Sequence, residues 1–433
     1  MGCAGERALP SVSADTPAAS ALFAPTDPMR YNRLFAALAA AALLAACGRD
    51  HTFVDGGGGG PAPGAPTNLT AQARWILEGF TAGGQPSGYA AVDLAWDPPA
   101  SWGNEVFRVY GRRAGESGFF LIATVTSCTT SGCVYRDRNV TAGQTYEFYV
   151  ATTNETSNQE TATQFRESVP VPSASTPAAP LADSAVALDN AAYLRWRDGG
   201  VGGSLWKYVV YLTRIDGTAY LYGLGETDGA AFLDTRATNG HVYGYRVAAV
   251  DTMEHVSALS AEFTVAPRPD ASGELVYSFQ TNAPLSGFRF QASEATDPIV
   301  AGTALGAQWR LEHDGTGWHI VPLNGTAVLE YPGGRTTALA CGPGSDANCR
   351  AVTRAPVAGY QTTPVAVNAE YSYVFRVTGS DGQPHYGVIR VQLLGSDGAG
   401  HDLMIFDWAY QVLPNDARLD RIGTGVGGLV PGR

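Results

Sequence analysis

Alternating apolar and polar positions dominate the middle of the chain, and they occur in two segments of about one hundred residues. In the first segment, Val92-Asp-Leu-Ala-Trp96 alternates and ends at Asp97-Pro98. In the second, Ala192-Tyr-Leu-Arg-Trp196 alternates and ends at Asp198-Gly199. A period of two places successive side chains on opposite faces of a strand. The pattern therefore predicts the same half-buried strand in two repeats.

The landmarks that follow keep the same order in both repeats. A second alternating run is Val106-Phe-Arg-Val-Tyr110 in the first repeat and Tyr208-Val-Val-Tyr211 in the second. Later, Gly143-Gln-Thr-Tyr146 corresponds to Gly240-His-Val-Tyr243. No helical periodicity interrupts either segment. Short strands at this spacing, separated by turn residues, predict an all-β sandwich for each repeat.

Both repeats resemble fibronectin type III domains, over residues 67–172 and 173–268. Trp96 and Trp196 stand where that family has its core tryptophan on the second strand. Tyr146 and Tyr243 stand where it has the tyrosine corner, whose hydroxyl bonds to nearby backbone. The resemblance implies two tandem immunoglobulin-like sandwiches that serve as spacers or binding modules. It implies no catalytic residue.

Strand-like segments continue through residues 270–413, and they predict a third, larger antiparallel β domain. Asp314-Gly315, Asp381-Gly382 and Asp397-Gly398 are hairpin turn sequences within it. The region lacks the tryptophan and tyrosine landmarks of the two repeats. Residues 414–433 show no periodicity and are expected to be a loose, flexible tail. The predicted strands are Glu274–Gln280, Gly287–Gln291, Gln308–His313, Trp318–Leu323, Ala327–Tyr331, Tyr371–Thr378, Tyr386–Leu394 and Leu403–Leu413.

Part of this third region resembles the HmuY-like family of surface lipoproteins. The resemblance lies in the order of Trp309-Arg-Leu-Glu, Trp318-His-Ile-Val, Tyr371-Ser-Tyr-Val-Phe and Phe406-Asp-Trp-Ala-Tyr-Gln. Some members capture haem between two histidines, and imidazole is a good axial ligand for haem iron. The candidates here are His313, His319, His385 and His401, and none matches a family ligand position. Surface histidines in turn sequence are the competing interpretation.

The N-terminus carries an export signal. Met29-Arg-Tyr-Asn-Arg is basic, residues 34–44 are almost entirely Ala and Leu, and Leu44-Ala-Ala-Cys47 follows. This ending resembles the lipobox of bacterial lipoproteins and implies that Cys47 is lipidated and becomes the mature N-terminus. The competing interpretation is a plain secretion signal in which Cys47 has no role. We interpret Met29 as the true initiator and residues 1–28 as an extension that results from a start codon assigned too early. Residues 29–46 are then a lipoprotein signal peptide, and residues 47–66 are a Gly/Pro tether. An Asp directly after the lipidated cysteine would resemble a signal for retention in the inner membrane, but Gly48 follows Cys47 here. The expected location is therefore the bacterial cell envelope at the outer membrane.

The remaining cysteines form two close pairs, Cys128 with Cys133 and Cys341 with Cys349. Each pair lies in turn-rich sequence, and export favours disulfides. Zinc is the alternative, but neither spacing is Cys-x2-Cys. We therefore predict two disulfides and no metal site.

Composition and charge favour a binding protein over an enzyme or a nucleic-acid partner. Only 16% of residues are charged, and the net charge is −12 without a basic stripe. No Gly-x-Ser-x-Gly, His-Glu-x-x-His or calcium-loop motif occurs. Trp102 and Trp206 are expected in corresponding loops, where an exposed indole could stack on a sugar or peptide. The competing interpretation is that each covers the end of its own sandwich.

These observations predict an exported, lipid-anchored, non-enzymatic protein. The tandem domains would form a stalk that presents the third domain to a protein or other ligand, with the membrane as a partner through the lipid. Two alternatives are haem or tetrapyrrole capture by the third domain, and a carbohydrate-binding accessory role. The leading prediction requires no cofactor, whereas haem would be the cofactor in the tetrapyrrole alternative.

Overall fold

A computed structural model describes residues 62–103, 105–173, 175–201 and 204–425, with only the backbone described for 422–425. The expected signal peptide, the lipidation site Cys47 and the tether up to residue 61 lie outside these ranges. The described chain is all-β, as the alternation predicted, with one short helix α1 (Phe279–Asn282) and a 3-10 turn at Ala283–Leu285. No helix within the described ranges is long and apolar enough to cross a membrane.

The first domain is a sandwich of two antiparallel sheets. One sheet has the order β1-β2-β5, and the other has β4-β3-β6-β7 with β8 also paired to β6. Trp96 of β2 packs with its ring 5.7 Å from that of Phe107 on β3, and both are buried between the sheets. The strands are β1 (Thr67–Phe80), β2 (Pro86–Asp97), β3 (Val106–Arg113), β4 (Phe120–Val125), β5 (Cys133–Asp137), β6 (Thr145–Asn154), β7 (Gln159–Ala162) and β8 (Glu167–Pro170).

The second domain repeats this arrangement. Trp196 of β10 packs 5.4 Å from the ring of Tyr208 on β11, which reproduces the tryptophan contact of the first domain. Its strands are β9 (Leu181–Leu188), β10 (Ala191–Arg197), β11 (Leu205–Ile215), β12 (Thr218–Thr227), β13 (Ala231–Asp234), β14 (Tyr243–Asp251) and β15 (Phe263–Val265).

The third domain contains two five-stranded sheets with the orders β16-β25-β24-β23-β21 and β18-β17-β19-β20-β22. Their shared core includes the buried rings of Phe288, Trp309, Phe375, Phe406 and Trp408. The strands are β16 (Asp270–Tyr277), β17 (Gly287–Phe288), β18 (Ile299–Val300), β19 (Trp309–Asp314), β20 (Gly317–Pro322), β21 (Ala327–Arg335), β22 (Val365–Ala366), β23 (Tyr371–Thr378), β24 (Pro384–Ser396) and β25 (Asp402–Gln411).

The strands predicted for this domain are all present, with ends that differ by a few residues. The largest difference follows Tyr277, where the expected strand gives way to α1. The sequence pattern missed β18 and β22, which have two residues each. Two residues are too few to display an alternation, so these strands exist only because β17 and β20 offer open edges to pair with.

The C-terminal segment is a structured part of the fold, and the expectation of a loose tail over 414–433 is wrong for residues 414–425. Leu419 is fully buried, and the chain then forms β26 (Ile422–Gly425). This strand lies between β15 and β9 and joins the two sheets of the second domain into one of eight strands. A four-residue strand without apolar alternation carries no local signal, because its hydrogen-bond partners are about 160 to 240 residues away.

All three domains contain a tyrosine corner, and this corrects the expectation that the third domain lacks one. The hydroxyls of Tyr146, Tyr243 and Tyr373 each accept a hydrogen bond from the backbone N–H five residues earlier, at 2.9, 3.0 and 2.9 Å. In each corner the residue three positions before the tyrosine has a positive φ, and it is Gly143, Gly240 and Glu370 respectively. Because Glu370 replaces the usual glycine, the turn was harder to recognise in the third sequence.

Candidate functional site

Both predicted disulfides are confirmed. Cys128 and Cys133 bond at the start of β5, with a Cα–Cα distance of 4.5 Å. Cys341 and Cys349 close a loop of the third domain, with a Cα–Cα distance of 5.9 Å. Cys133 is buried in the core of the first sandwich. The first disulfide thus joins a surface turn to that core, which is consistent with an oxidising compartment.

Trp102 caps the first sandwich rather than presenting a flat binding face. Its ring centroid lies 5.5 Å from that of Phe107 in the core. Its indole Nε1 donates a hydrogen bond of 2.9 Å to the backbone oxygen of Glu105. A half-buried indole with its polar atom satisfied is typical of a core-covering residue.

Trp206 lies in a different environment, and its expected place in a loop is wrong. It belongs to β11 because the strand begins at Leu205, where the chain pairs with β14. The side chain is 41% exposed, and the Lys207 ammonium lies 4.1 Å from the ring centroid. This cation–π contact covers part of the ring. Trp102 and Trp206 therefore do not form a matched pair of sugar platforms.

His313 and His401 lie at one end of the third domain and each contacts a carboxylate. The His313 ring stacks on Trp318 at 4.0 Å, and its Nδ1 lies 2.9 Å from Asp402. The His401 Nδ1 lies 3.0 Å from Asp397. The pKa of Asp402 is lowered, first by the hydrogen bond from Ser396 and then by that from His313. These imidazoles thus act within the domain as partners of ionised carboxylates.

His385 is buried, and its ring stacks against Tyr410 at 5.9 Å. Its Nε2 lies 3.2 Å from the Asp381 carboxylate. His319 is half-buried on β20, where it pairs across the sheet with Glu312. Among residues 62–425 as described, no group of three or more His, Cys, Asp or Glu side chains is arranged to hold a metal ion. Haem binding and the HmuY-like resemblance stay predictions.

A junction that was not predicted from the sequence connects the first and second domains. The end of the β1–β2 hairpin lies on the outer face of β11 and β14, where the Phe80 ring packs edge-on at 5.3 Å from Tyr211. Leu77 and Leu259 join the same cluster, with Ala248, Val250 and Val256 at its buried centre. Burial raises the pKa of Tyr211 to about 12. The available signal was Tyr208-Val-Val-Tyr211, which is apolar on both faces of its strand.

Polar contacts extend the same junction. The Arg74 guanidinium forms a 3.0 Å ion pair with Glu254, and the backbone N–H of Leu259 donates to the Gly84 oxygen at 2.8 Å. Gly84 has a φ of 75°, and a Cβ there would come within 3.2 Å of the Leu259 side chain. Glycine therefore permits both the turn and the close approach of the hairpin to the second domain.

A second junction connects the second and third domains. The Asp189 carboxylate accepts hydrogen bonds from Asn239 Nδ2 at 2.5 Å and from Ser293 Oγ at 3.0 Å. The buried Arg268 donates to the Leu419 oxygen at 2.7 Å and lies 3.7 Å from Asp270. Burial lowers the pKa of Arg268, with Asp270 opposing that shift. Both junctions depend on residues that are distant in sequence, so local patterns did not reveal them.

Comparison with solved structures finds tandem fibronectin type III domains. The FN1–FN3 domains of chicken CNTN1 match with a TM-score of 0.34 and 14% identity, over 48% of this chain and 69% of that one. A two-domain fibronectin type III segment of chicken tenascin matches with a TM-score of 0.19 and 12% identity, over 46% of this chain and 98% of that one. No protein-family model and no curated protein matches the chain. The assignment of the sandwiches rests on their strand order and tyrosine corners.

Proposed function

We propose that the protein is an exported, lipid-anchored and non-enzymatic binding protein of the bacterial cell envelope. Its two fibronectin type III-like domains act as a stalk, and its third domain is the part presented for binding a protein or other ligand. The lipid on Cys47 attaches the chain to the membrane, and residues 47–66 form the tether. The two disulfides support export.

The observation that carries the stalk is the apolar junction between the first two domains. Domain pairs joined only by a linker move independently unless a sizeable apolar interface holds them. Here Leu77 and Phe80 of the first domain pack with Tyr211 and Leu259 around a buried apolar centre, and the Arg74–Glu254 ion pair extends the contact. This junction supports a stalk in which the two domains keep a fixed relative orientation.

Limited proteolysis of the linker at residues 173–179 tests the stalk. Phe80→Ala removes the ring that packs on Tyr211, so we expect cleavage in this linker to accelerate several-fold while the two sandwiches stay folded. Phe165→Ala is the matched control, because Phe165 belongs to the same domain and is 71% exposed. Equal cleavage rates for the two variants would rule out an ordered stalk.

The anchor is tested separately by metabolic labelling with palmitate in a bacterial host. We expect the wild-type chain to incorporate label and to be processed, whereas Cys47→Ser gives an unlabelled precursor. Cys341→Ser with Cys349→Ser is the control and should incorporate label as the wild type does. Labelling that persists in Cys47→Ser would contradict the assignment of the lipidated residue and leave the stalk test unaffected.

A further inference from the structure

The second sandwich is completed by a strand from the far end of the chain. β26 pairs with β15 through Phe263↔Gly425 and Thr264↔Thr424, and with β9 through Val186↔Ile422 and Ala185↔Gly423. It therefore supplies hydrogen-bond partners to the first and last strands of the domain at once. Without it, β9 and β15 would each present an unpaired edge.

Such a distant pairing requires another structure to bring the two segments together. Closing a flexible loop of more than two hundred residues costs entropy that a four-residue strand does not recover by itself. The third domain removes most of this cost because its first and last strands, β16 and β25, are antiparallel neighbours, with Asp270 opposite Ala409. Residues 412–421 thus start beside the second domain as soon as the third domain has folded.

Specific contacts then fix the approach of the segment. Leu419 is fully buried, and its oxygen accepts the hydrogen bond from Arg268. Arg421 Nε lies 2.6 Å from the Asp270 carboxylate. The Arg421 oxygen accepts a 2.8 Å hydrogen bond from the backbone N–H of Ala187 on β9. These contacts place the chain in register immediately before β26 begins.

We propose that residues 412–425 form a C-terminal strap that makes the second and third domains one cooperative unit. The first domain stays outside this unit. Release of the strap leaves β9 and β15 each with an unpaired backbone edge.

Hydrogen exchange of the full chain, followed by mass spectrometry, tests the strap. Thr424→Pro removes a backbone N–H and is not tolerated within a central strand, whereas Thr424→Ala keeps the backbone donor. We expect the amides of β9 and β15 to exchange about tenfold or more faster in Thr424→Pro, and at nearly the wild-type rate in Thr424→Ala. β2 and β6 of the first domain should be unchanged in both.

Two further variants separate strap release from general misfolding. A chain ending after Arg421 removes β26 without introducing proline and should expose the same amides. Trp309→Ala, in the core of the third domain, should also raise exchange in β9 and β15, because it loosens the structure that delivers the strap. Unchanged protection of β9 and β15 in Thr424→Pro and in the truncated chain would overturn the proposal, as would equal loss of protection in the first domain.

Discussion

The first and second sandwiches share a strand order, a core tryptophan and a tyrosine corner, yet each obtains its remaining stability from a different source. The first domain uses its own residues: the Cys128–Cys133 disulfide fixes the turn that leads into β5. The second domain has no cysteine and borrows β26 from the C-terminus. Two copies of one architecture can thus differ in how far they depend on the rest of the chain.

The outer faces of the two domains show the same contrast. In the first domain, the Tyr110 and Tyr149 rings stack at 4.8 Å, and the guanidinium groups of Arg112 and Arg166 lie over Phe119. These side chains cover one another. In the second domain, Val209 and Tyr211 at the equivalent face are covered by the hairpin of the first. The second domain is therefore central to the chain, with a partner on two sides.

The largest effect that separates the two domains comes from removing their core tryptophans. Trp96→Ala and Trp196→Ala should each cost about 3–5 kcal/mol of unfolding free energy, because each leaves a large cavity. We expect the first to lower exchange protection only in residues 67–172, and the second to lower it in residues 181–265 and in the third domain. Amide hydrogen exchange, resolved for each domain by mass spectrometry, measures both effects. Confinement of the Trp196→Ala effect to its own sandwich would mean that the two domains do not differ in dependence.

Removing the disulfide should weaken the first domain by about 2 kcal/mol, because the closed loop is short and constrains little chain entropy. The variant is Cys128→Ala with Cys133→Ala, and denaturant unfolding monitored by exchange gives the value. Cys341→Ala with Cys349→Ala is the matched control, and it should affect the third domain and the second domain coupled to it through β26, but not the first. If the cysteine variant lowered the stability of both the first and the second domain, the Cys128–Cys133 disulfide would act beyond its own sandwich.

The side chain that faces a buried aspartate distinguishes the two cores. Asp234 accepts a 2.8 Å hydrogen bond from the Tyr245 hydroxyl, whereas the corresponding pair in the first domain is Asp137 with Phe148. Tyr245→Phe should destabilise the second domain by about 1–3 kcal/mol, because it leaves a buried carboxylate without that donor. The reciprocal change, Phe148→Tyr, should lower the pKa of Asp137, as measured by NMR of the carboxyl carbon. An unchanged Asp137 pKa in Phe148→Tyr would refute the equivalence of the two sites.

The smallest effect is a pH dependence specific to the first domain. Burial raises the pKa of Asp137, and a hydrogen bond from the Asn139 backbone only partly offsets it. The folded state thus binds this proton more tightly than the unfolded chain does. The contribution to stability is complete below the unfolded pKa of about 4 and is lost as pH rises through the folded pKa. Asp137→Asn should remove this part of the pH profile, and identical profiles for the variant and wild type would contradict the expectation.

Much of the architecture was predictable because strands of five or more residues carry their own signal. Trp96, Trp196, Tyr146 and Tyr243 located the two sandwiches, and the cysteine spacings identified both disulfides. The turn before Tyr373 uses Glu370 in place of glycine, so the third corner was missed. The candidate ligand residues were less predictable: His385 proved buried, and Trp206 proved to lie on a strand.

Local pattern was enough to establish the all-β class, the repeat and the tyrosine corners of the first two domains, because each depends on residues within a few positions of one another. Only the folded chain decided which domains touch and where β26 pairs. Phe80 meets Tyr211 across more than one hundred residues, and Ile422 meets Val186 across more than two hundred. Apolar alternation records which face of a strand is buried. It does not record what buries it, since that choice depends on the positions of whole domains.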